Sequence, residues 1–278
     1  MRCSGCATGV TAGPAPGPGA YEEGVYALRA PRGRALVRLL QRATVAQPAR
    51  ALRSAGLQPG GRVLDVGAGT GRLVEELRRR GYDAYGIEPS ERSLAIAEAA
   101  GRPVIRGAIE EHEESGLNAA ALWHVLEHLD EPLSALVRVR SWLRPGGFLL
   151  VGVPNLASAQ ARVAGDSWLH FDVPRHRVHF TPDGLVTLLG RAGLEPVRTD
   201  HYVWEHNPAA MWMALLSRAG MASGLPFHLI KGTVSASPRD LALLTAGVPL
   251  LPVALGLEAV AAALRRGGTM SVVARAPA

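Results

Sequence analysis

Cysteine is scarce in this sequence. Its two cysteines, Cys3 and Cys6, form a CxxC pair close to the N-terminus, which excludes a framework of disulfide bonds and fits a reducing compartment. A tetrahedral zinc site needs four ligands, and the next histidine, His112, lies far along the chain. We therefore interpret the pair as fortuitous rather than as half of a zinc site.

Clusters of basic side chains are also lacking. The formal net charge of +6 and the pI near 10.0 would suit nucleic acid or an anionic membrane surface. The arginines are scattered, however, and no helix carries a basic stripe with interleaved aromatic residues. This distribution predicts no nucleic-acid partner.

An apolar segment typical of a secretory signal peptide is absent from residues 1–20, which are mostly small and rich in Gly and Pro. We expect a cytoplasmic protein, either free or peripheral to the inner face of the membrane. Residues 1–20 bury too little apolar surface to offset the entropy lost on ordering, which predicts a flexible tail. Residues 21–200 are predicted as the core domain. Residues 201–278 are predicted as a helical insertion or lid whose final strand returns to the core.

One long apolar stretch, Leu241–Leu264, contains no basic residue, and its length would permit a membrane span. Three features disfavour a span. Pro249 and Pro252 are predicted to break a helix, Glu258 would be costly at mid-bilayer, and the strand from Thr269 must return to the sheet. Peripheral membrane contact and a soluble lid or oligomer surface remain as alternatives, and the oligomeric state is not predicted.

Strand-like and helix-like segments alternate from Arg62 to Val153, which indicates a parallel sheet with helices on both faces. Thr269–Ala274 adds a late strand. We predict an α/β fold with a Rossmann-like, mostly parallel seven-stranded sheet and a helical insertion before the last strand. In open sheets of this kind ligands bind at the carboxyl ends of the strands, so the loops there are candidates for the site.

The clearest motif is the run Val63–Gly71, in which a strand leads directly into the spacing GxGxG. Glycine lets the backbone turn sharply and lets a ligand approach without a Cβ in the way. Asp65, two residues before the first glycine, would repel the pyrophosphate of a dinucleotide at the helix N-terminus. A nucleoside that carries an ammonium group and no phosphate suits this carboxylate better.

This run resembles motif I of the class I methyltransferases that use S-adenosylmethionine (SAM). The resemblance implies SAM contacts from Asp65, Gly67, Ala68, Gly69 and Gly71. Glu88 and Pro89 end the next strand, where a carboxylate can accept both ribose hydroxyls of SAM or, equally, of NAD. The alternative for Glu88 is a solvent-facing acid at the start of a helix.

Two further contacts are implied by the same resemblance. Ile109 and Glu110 follow the third strand, where the family contacts the adenine ring, although Ala108 replaces an Asp that is common there. Trp123 and His124 begin the run WHVLEHL, which is similar to the family's motif IV region and ends the fourth strand.

The run Trp168–Thr181 contains the pattern PRHxxHF and resembles the type 23 family of methyltransferase domains, including its bacterial members. The resemblance extends from about Tyr21 onward. We predict a loop that contacts the substrate through His170, Asp172, Arg175, His176 and His179. A structural loop bonded to itself is the alternative. A metal site is disfavoured because no third ligand stands at a recognised spacing, so no metal is predicted.

Histidines supply the candidates for catalysis. Methyl transfer from a sulfonium is an in-line displacement that sometimes requires removal of a proton from the acceptor. An imidazole suits this task because its pKa lies near neutrality, which makes His124, His128 and His176 candidate catalytic residues. His124 could instead contribute only its backbone, and His128 could simply pack beside the motif IV helix.

The expected function is SAM-dependent methylation of an oxygen, with nitrogen or carbon as other options, on a small-molecule, saccharide or lipid-linked acceptor. An NAD(P)-dependent oxidoreductase is one rival, since it would share the glycine turn and Glu88. A non-catalytic SAM-binding scaffold or sensor is the other. Tyr21 and Tyr26 either close over the cofactor or belong to the core.

Overall fold

The computed structural model describes residues 1–14, 16–17, 34–203, 207–231 and 234–278. Tyr21 and Tyr26 lie outside the described residues.

The strands are β1 Gly9–Val10, β2 Arg62–Val66, β3 Asp83–Glu88, β4 Val104–Arg106, β5 Leu117–Trp123, β6 Leu143–Pro154, β7 Val178–His179, β8 Glu195–Asp200 and β9 Thr269–Arg275. The helices are α1 Arg34–Ser54, α2 Arg72–Arg79, α3 Glu91–Ala99, α4 Pro132–Trp142, α5 Ala159–Ala164, α6 Pro182–Arg191, α7 Asn207–Ser217, α8 Leu225–Lys231, α9 Pro238–Gly247 and α10 Leu251–Ala263. Short 3₁₀ turns cover Leu126–His128, Gly165–Ser167, Leu169–Phe171 and Val248–Leu250.

Seven strands form one sheet in the order β4-β3-β2-β5-β6-β9-β8. Strands β2 to β6 pair in parallel, whereas β9 lies antiparallel between β6 and β8. The late strand therefore returns to the sheet. The predicted Rossmann-like, mostly parallel fold is confirmed.

Burial on both faces explains the apolar composition of the central strands. Alternate residues of β2 face opposite layers: Val63 packs with Leu52 of α1, whereas Leu64 belongs to the layer that contains Trp142 of α4. The two helical layers cover the faces of the sheet, so the loops at its carboxyl edge remain to form a site.

Residues 1–14 differ from the predicted flexible tail. β1 pairs antiparallel with β7, with Gly9 opposite His179. Thr11 Oγ1 donates a hydrogen bond to the His176 carbonyl at 2.6 Å, and Arg177 Nη2 donates to the Gly13 carbonyl at 2.7 Å. These contacts with a distant part of the chain pack the segment against the PRHxxHF loop.

Helical structure continues through the two prolines that were predicted to break it. Pro249 lies in the first turn of the 3₁₀ segment and Pro252 in the first turn of α10, where the missing N–H would have no intrahelical partner. The segment Pro238–Ala263 is therefore helical throughout. By length and composition alone it could cross a membrane.

Glu258 attaches α10 to the core. Its carboxylate is fully buried and accepts hydrogen bonds from the Gly268 N–H at 2.9 Å and from Gln160 Nε2 at 2.8 Å. Gly268 immediately precedes β9, and Gln160 lies in α5 shortly after β6. α10 is thus held at the edge of the sheet where the parallel strands end.

Candidate cofactor and acceptor site

The predicted cofactor residues meet at the carboxyl edge of the sheet. The parallel register sets Asp65 beside Gly86, Glu88 beside Arg106 and Val66 beside Leu122. The loops after β2, β3, β4 and β5 therefore open onto one cleft.

The glycine turn after β2 is built from left-handed backbone conformations. Gly67, Gly69 and Gly71 have φ of +66°, +53° and +72°. A Cβ on Gly67 would lie 2.6 Å from Val125 Cγ2, and one on Gly71 would lie 2.7 Å from Val104 Cγ2. A Cβ on Gly69 would meet no atom within 4 Å. The turn is therefore packed on two sides and open at Gly69, where a ligand can approach the backbone.

Glu88 closes the turn from the neighbouring strand. Its carboxylate, 8% exposed, accepts hydrogen bonds from the Gly69 N–H at 2.8 Å and the Ser90 N–H at 2.9 Å. Burial raises the pKa of Glu88, and the two N–H donors offset part of that rise. A solvent-facing acid does not match this burial, and each oxygen keeps a further lone pair for a ribose hydroxyl.

Asp65 lies behind the turn and is buried. Burial, and secondarily the charge of Glu88, raises the pKa of Asp65 to about 8. A cation that reaches this carboxyl would favour its ionised form. The ammonium of SAM is such a cation.

The predicted adenine contacts flank a cavity. Ile109 is buried, whereas Pro89 and Glu110 are exposed. Ile109, Glu110 and His128 line a cavity of about 1040 Å³ that continues along α4 past Leu133 to Arg138. The cavity lies between the predicted adenine contacts and His128 of motif IV, and it is large enough for a small-molecule acceptor.

His124 has a strained backbone directly after β5. Its φ is +57°, in a region that residues other than glycine rarely adopt. Its Nδ1 lies 3.0 Å from Glu127 Oε1. Strain of this kind is typical of functional positions, where the surrounding structure holds the residue in place.

Glu127 is the functional candidate that sequence reasoning missed. It is 1% exposed. Burial acts to raise its pKa, but the hydrogen bond with His124 and the charges of His124, His128 and His176 outweigh burial and hold the pKa at about 2. This carboxylate is therefore ionised at neutral pH and lies beside three imidazoles. Glu127 follows His124 by three residues, and this spacing could have indicated the pair. From the sequence, we used the motif only as evidence of the family.

His128 and His176 each direct Nδ1 at a backbone carbonyl. Their rings are 4.7 Å apart, edge to face. The Nδ1 of His128 lies 3.1 Å from the Arg175 carbonyl, and that of His176 lies 2.8 Å from the His170 carbonyl. A carbonyl can only accept, so each Nδ1 carries a proton in this geometry. Burial lowers the pKa of His128 and favours its neutral form.

Glu127, His128 and His176 bring one potential ligand atom each to within 4.8 Å of one another. Backbone carbonyls that fix the imidazole tautomer are a common support for metal-binding histidines. We predicted no metal because the sequence showed no third ligand at a recognised spacing. In the structure, Glu127 is a candidate for that ligand. The cluster can therefore hold either a proton or a divalent cation.

The other predicted loop residues mostly contact the loop itself. His170 is buried with its ring 5.3 Å from that of Trp168. Asp172 pairs with Arg175, whose Nε lies 3.0 Å from Oδ1. His179 faces Thr11, with Nε2 3.0 Å from Oγ1, and burial lowers the pKa of His179 to about 4. Of the five predicted loop side chains, the structure thus brings His176 to the motif IV residues.

Hydrogen bonds from the backbone and side chain of Arg177 join this loop to motif IV. The Arg177 N–H donates to the Glu127 carbonyl at 2.7 Å, and the Arg177 Nε donates to Asp130 at 2.6 Å. The loop and the 3₁₀ turn Leu126–His128 therefore form one unit beside the cavity.

The fold and the site define a class I SAM-dependent methyltransferase. The open turn at Gly69, the buried carboxylate of Glu88 and the buried Asp65 lie together at the carboxyl edge of the sheet. The chain belongs to the methyltransferase domain family, whose model matches residues 33–199.

Two bacterial relatives are ubiquinone biosynthesis O-methyltransferases. The protein from Dinoroseobacter shibae is 32% identical over 197 residues, which are 64% of this chain and 77% of that protein. One from Cereibacter sphaeroides is 29% identical over 171 residues, which are 56% of this chain and 68% of that protein.

Solved structures share the fold. A SAM-dependent methyltransferase from Archaeoglobus fulgidus matches with a TM-score of 0.54 at 15% identity, covering 84% of this chain and 94% of that one. The cyclase SpnF matches with a TM-score of 0.51 at 22% identity, covering 90% of this chain and 83% of that one. Because proteins named for different reactions share this fold, the chemistry has to be argued from the site.

Proposed function

We propose that this methyltransferase methylates a phenolic oxygen of a quinone precursor or a related small aromatic acceptor. The observation that supports this most directly is the contact between the buried Glu127 and His124 directly after β5, close in sequence to His128, which lines the cavity. A phenol becomes a good nucleophile when its proton is removed, and an oriented imidazole is suited to remove it. The names of the two bacterial relatives point to the same class of acceptor.

Each group has a distinct role in this proposal. SAM supplies the methyl group from its sulfonium. Asp65, the glycine turn and Glu88 hold the methionine and ribose portions, while Pro89, Ile109, Glu110 and Trp123 border the adenine. Glu127 accepts the Nδ1 proton of His124, so the lone pair of His124 lies on Nε2, which takes the acceptor's proton. His128 lines the proposed acceptor cavity, and the ring of His176 packs against that of His128.

A divalent cation on Glu127, His128 and His176 is a second candidate arrangement, favoured by the convergence of their ligand atoms. A cation there would lower the pKa of a bound phenol by electrostatic stabilisation of the phenolate. Dialysis against EDTA separates the two arrangements. If a cation is required, activity falls at least tenfold and returns on addition of Zn²⁺ or Mg²⁺, and His176→Ala abolishes the return. Unchanged activity after complete chelation would leave proton transfer by histidine as the mechanism.

The acceptor is proposed to be apolar or lipid-linked, with a saccharide as the alternative. We propose accordingly that the enzyme is cytoplasmic and contacts the inner face of the membrane through Leu241–Leu264. The exposure of this stretch supports the contact, since only 17% of its most apolar window is buried.

The first test is calorimetric titration with S-adenosylhomocysteine and, separately, NADH. Micromolar binding of the first and none of the second is expected. Transfer of labelled methyl groups from SAM to phenols with and without a polyprenyl chain then tests the acceptor. Saturable SAM binding without turnover on any phenol, saccharide or lipid-linked acceptor would favour the scaffold alternative over the enzyme proposed here.

A further inference from the structure

The helical segment α9–α10, Pro238–Ala263, has most of its large apolar side chains on the outside; Leu243 and Leu244 pack partly inward. The positions it buries are Gly247, Ala254, Glu258 and Ala261, which are small apart from the glutamate. The exposed ones include Val248, Leu251, Val253, Leu255, Leu257 and Val260. A surface helix of a water-soluble domain shows the reverse pattern, with its apolar stripe inward. An apolar surface of this extent marks a contact with a partner or a membrane.

The ends of the segment are basic. Arg239 lies at its start, and Arg265 and Arg266 follow its end; all three are exposed. The one ionisable side chain from Leu241 to Leu264 is Glu258, which is buried. Asp240, beside Arg239, accepts hydrogen bonds from the backbone N–H and hydroxyl of Ser237 at the helix N-cap. The exposed surface is therefore apolar along its length and cationic at both ends.

We propose that α9–α10 lies flat in the surface of an anionic lipid bilayer, with its apolar side chains among the acyl chains and its arginines at the phosphates. Basic residues bordering an apolar helical face are typical of interfacial membrane helices. A second copy of this chain fits less well. Both ends of the segment are cationic, so parallel and antiparallel pairing alike would bring arginines against arginines.

Two anchors keep the segment on the surface of the bilayer rather than across it. Glu258 is hydrogen-bonded to Gly268 and Gln160, and Trp212 Nε1 donates to the Gly247 carbonyl at 2.8 Å. A span would break these bonds and carry a carboxylate into the hydrocarbon, which is strongly unfavourable. Because Glu258 joins α10 to the carboxyl edge of the sheet, the lipid-facing helix lies on the same edge as the cofactor cleft. The inference rests on the membrane contact of the proposed function and specifies its geometry and lipid charge; it does not depend on which acceptor is methylated.

Vesicle flotation of the full chain tests the proposal. Phosphatidylcholine vesicles with phosphatidylglycerol should carry the protein upward at low salt, and vesicles of phosphatidylcholine alone should carry much less. The double variant V253E/V260E places charges on side chains that are 51% and 59% exposed and should reduce binding at least tenfold. V186E/V197E, at 43% and 49% exposure outside the segment, is the matched control and should bind like the unmodified chain.

The cationic ends are tested separately. R265Q/R266Q should weaken binding to anionic vesicles by roughly 25-fold, from about 1 kcal/mol per arginine at such a surface, and leave binding to neutral vesicles unchanged. Retained binding of S-adenosylhomocysteine establishes that each variant is folded, and R265Q/R266Q still decides the matter if V253E/V260E fails to fold. The proposal is overturned if the unmodified chain floats with neither vesicle type. It is also overturned if sedimentation shows a dimer that V253E/V260E dissociates while vesicle binding is absent.

Discussion

His124 combines backbone strain with a buried ionic partner. Its φ of +57° and its contact with Glu127 hold the imidazole against the end of β5. Asparagine tolerates this backbone region and can donate a hydrogen bond to the carboxylate, but it cannot accept a proton at neutral pH. The fold is therefore separable from the chemistry at this residue.

We expect His124→Asn to lower kcat at least a hundredfold, the usual contribution of a general base, while the affinity for S-adenosylhomocysteine changes less than threefold. His201→Asn, at a half-buried histidine distant in sequence from motif IV, is the control and should keep full activity. Steady-state kinetics with calorimetry measure both quantities. Unreduced kcat in His124→Asn would remove this residue from the mechanism.

Gly69 permits a test of the cofactor cleft with a matched glycine. Gly69 and Gly101 have φ of +53° and +65°, and a Cβ on either would meet nothing within 4 Å. Alanine should strain both backbones equally, by about 1 kcal/mol. Gly69→Ala should also lower the affinity for S-adenosylhomocysteine at least tenfold, whereas Gly101→Ala should not. Equal affinities in the two variants would show that the ligand does not approach Gly69.

The raised pKa of Asp65 predicts a pH-dependent affinity. With a pKa of about 8 in the free protein, this carboxyl is largely protonated at neutral pH. A bound ammonium favours the ionised form, so binding should release a proton. The affinity for S-adenosylhomocysteine should then rise by up to about tenfold per pH unit between pH 6 and 8. Calorimetry in buffers of different ionisation enthalpy detects the released proton. Asp65→Asn should abolish the pH dependence of the affinity. If the dependence persists in this variant, another group is responsible for it.

Among the elements, the two-residue strand β1 supports the PRHxxHF loop. It pairs with β7, and Thr11 just beyond it contacts the backbone of His176 and the ring of His179. The segment thereby supports the loop that delivers His176 to Glu127. A strand so short has no periodicity, and its partner is distant in sequence, so composition alone predicted a flexible tail.

Thr11→Val should keep the shape of the side chain and lose its hydrogen bonds. Because the His176 carbonyl is then left without this donor in a buried site, the free energy of unfolding should fall by about 1 to 3 kcal/mol. Thr245→Val is the control. It removes the exposed hydrogen bond from Oγ1 to the Leu241 carbonyl and should change the free energy of unfolding by less than about 0.5 kcal/mol. Urea denaturation compares the two. Equal stabilities would mean that residues 1–14 do not support the loop.

For the molecule as a whole, most of the sheet could be predicted from the sequence because near-continuous apolar strands alternate with helices. The cofactor edge could be predicted as well, since the glycine turn and Glu88 each follow a recognisable strand. What could not be predicted depends on contacts that local patterns do not encode. The burial of Glu127 beneath three histidines, the pairing of residues 1–14 and the helical path through Pro249 and Pro252 all result from tertiary packing.

The position of β9 also governs the order in which the chain can complete its fold during synthesis. This strand, Thr269–Arg275, fills the gap between β6 and β8 and is made after every other strand of the sheet. Until it emerges from the ribosome, β6 presents an edge of unpaired backbone N–H and C=O groups between apolar side chains, and β8 has no sheet to join. Such edges template aggregation, so a nascent chain of this enzyme has a vulnerable interval that ends only with its last strand.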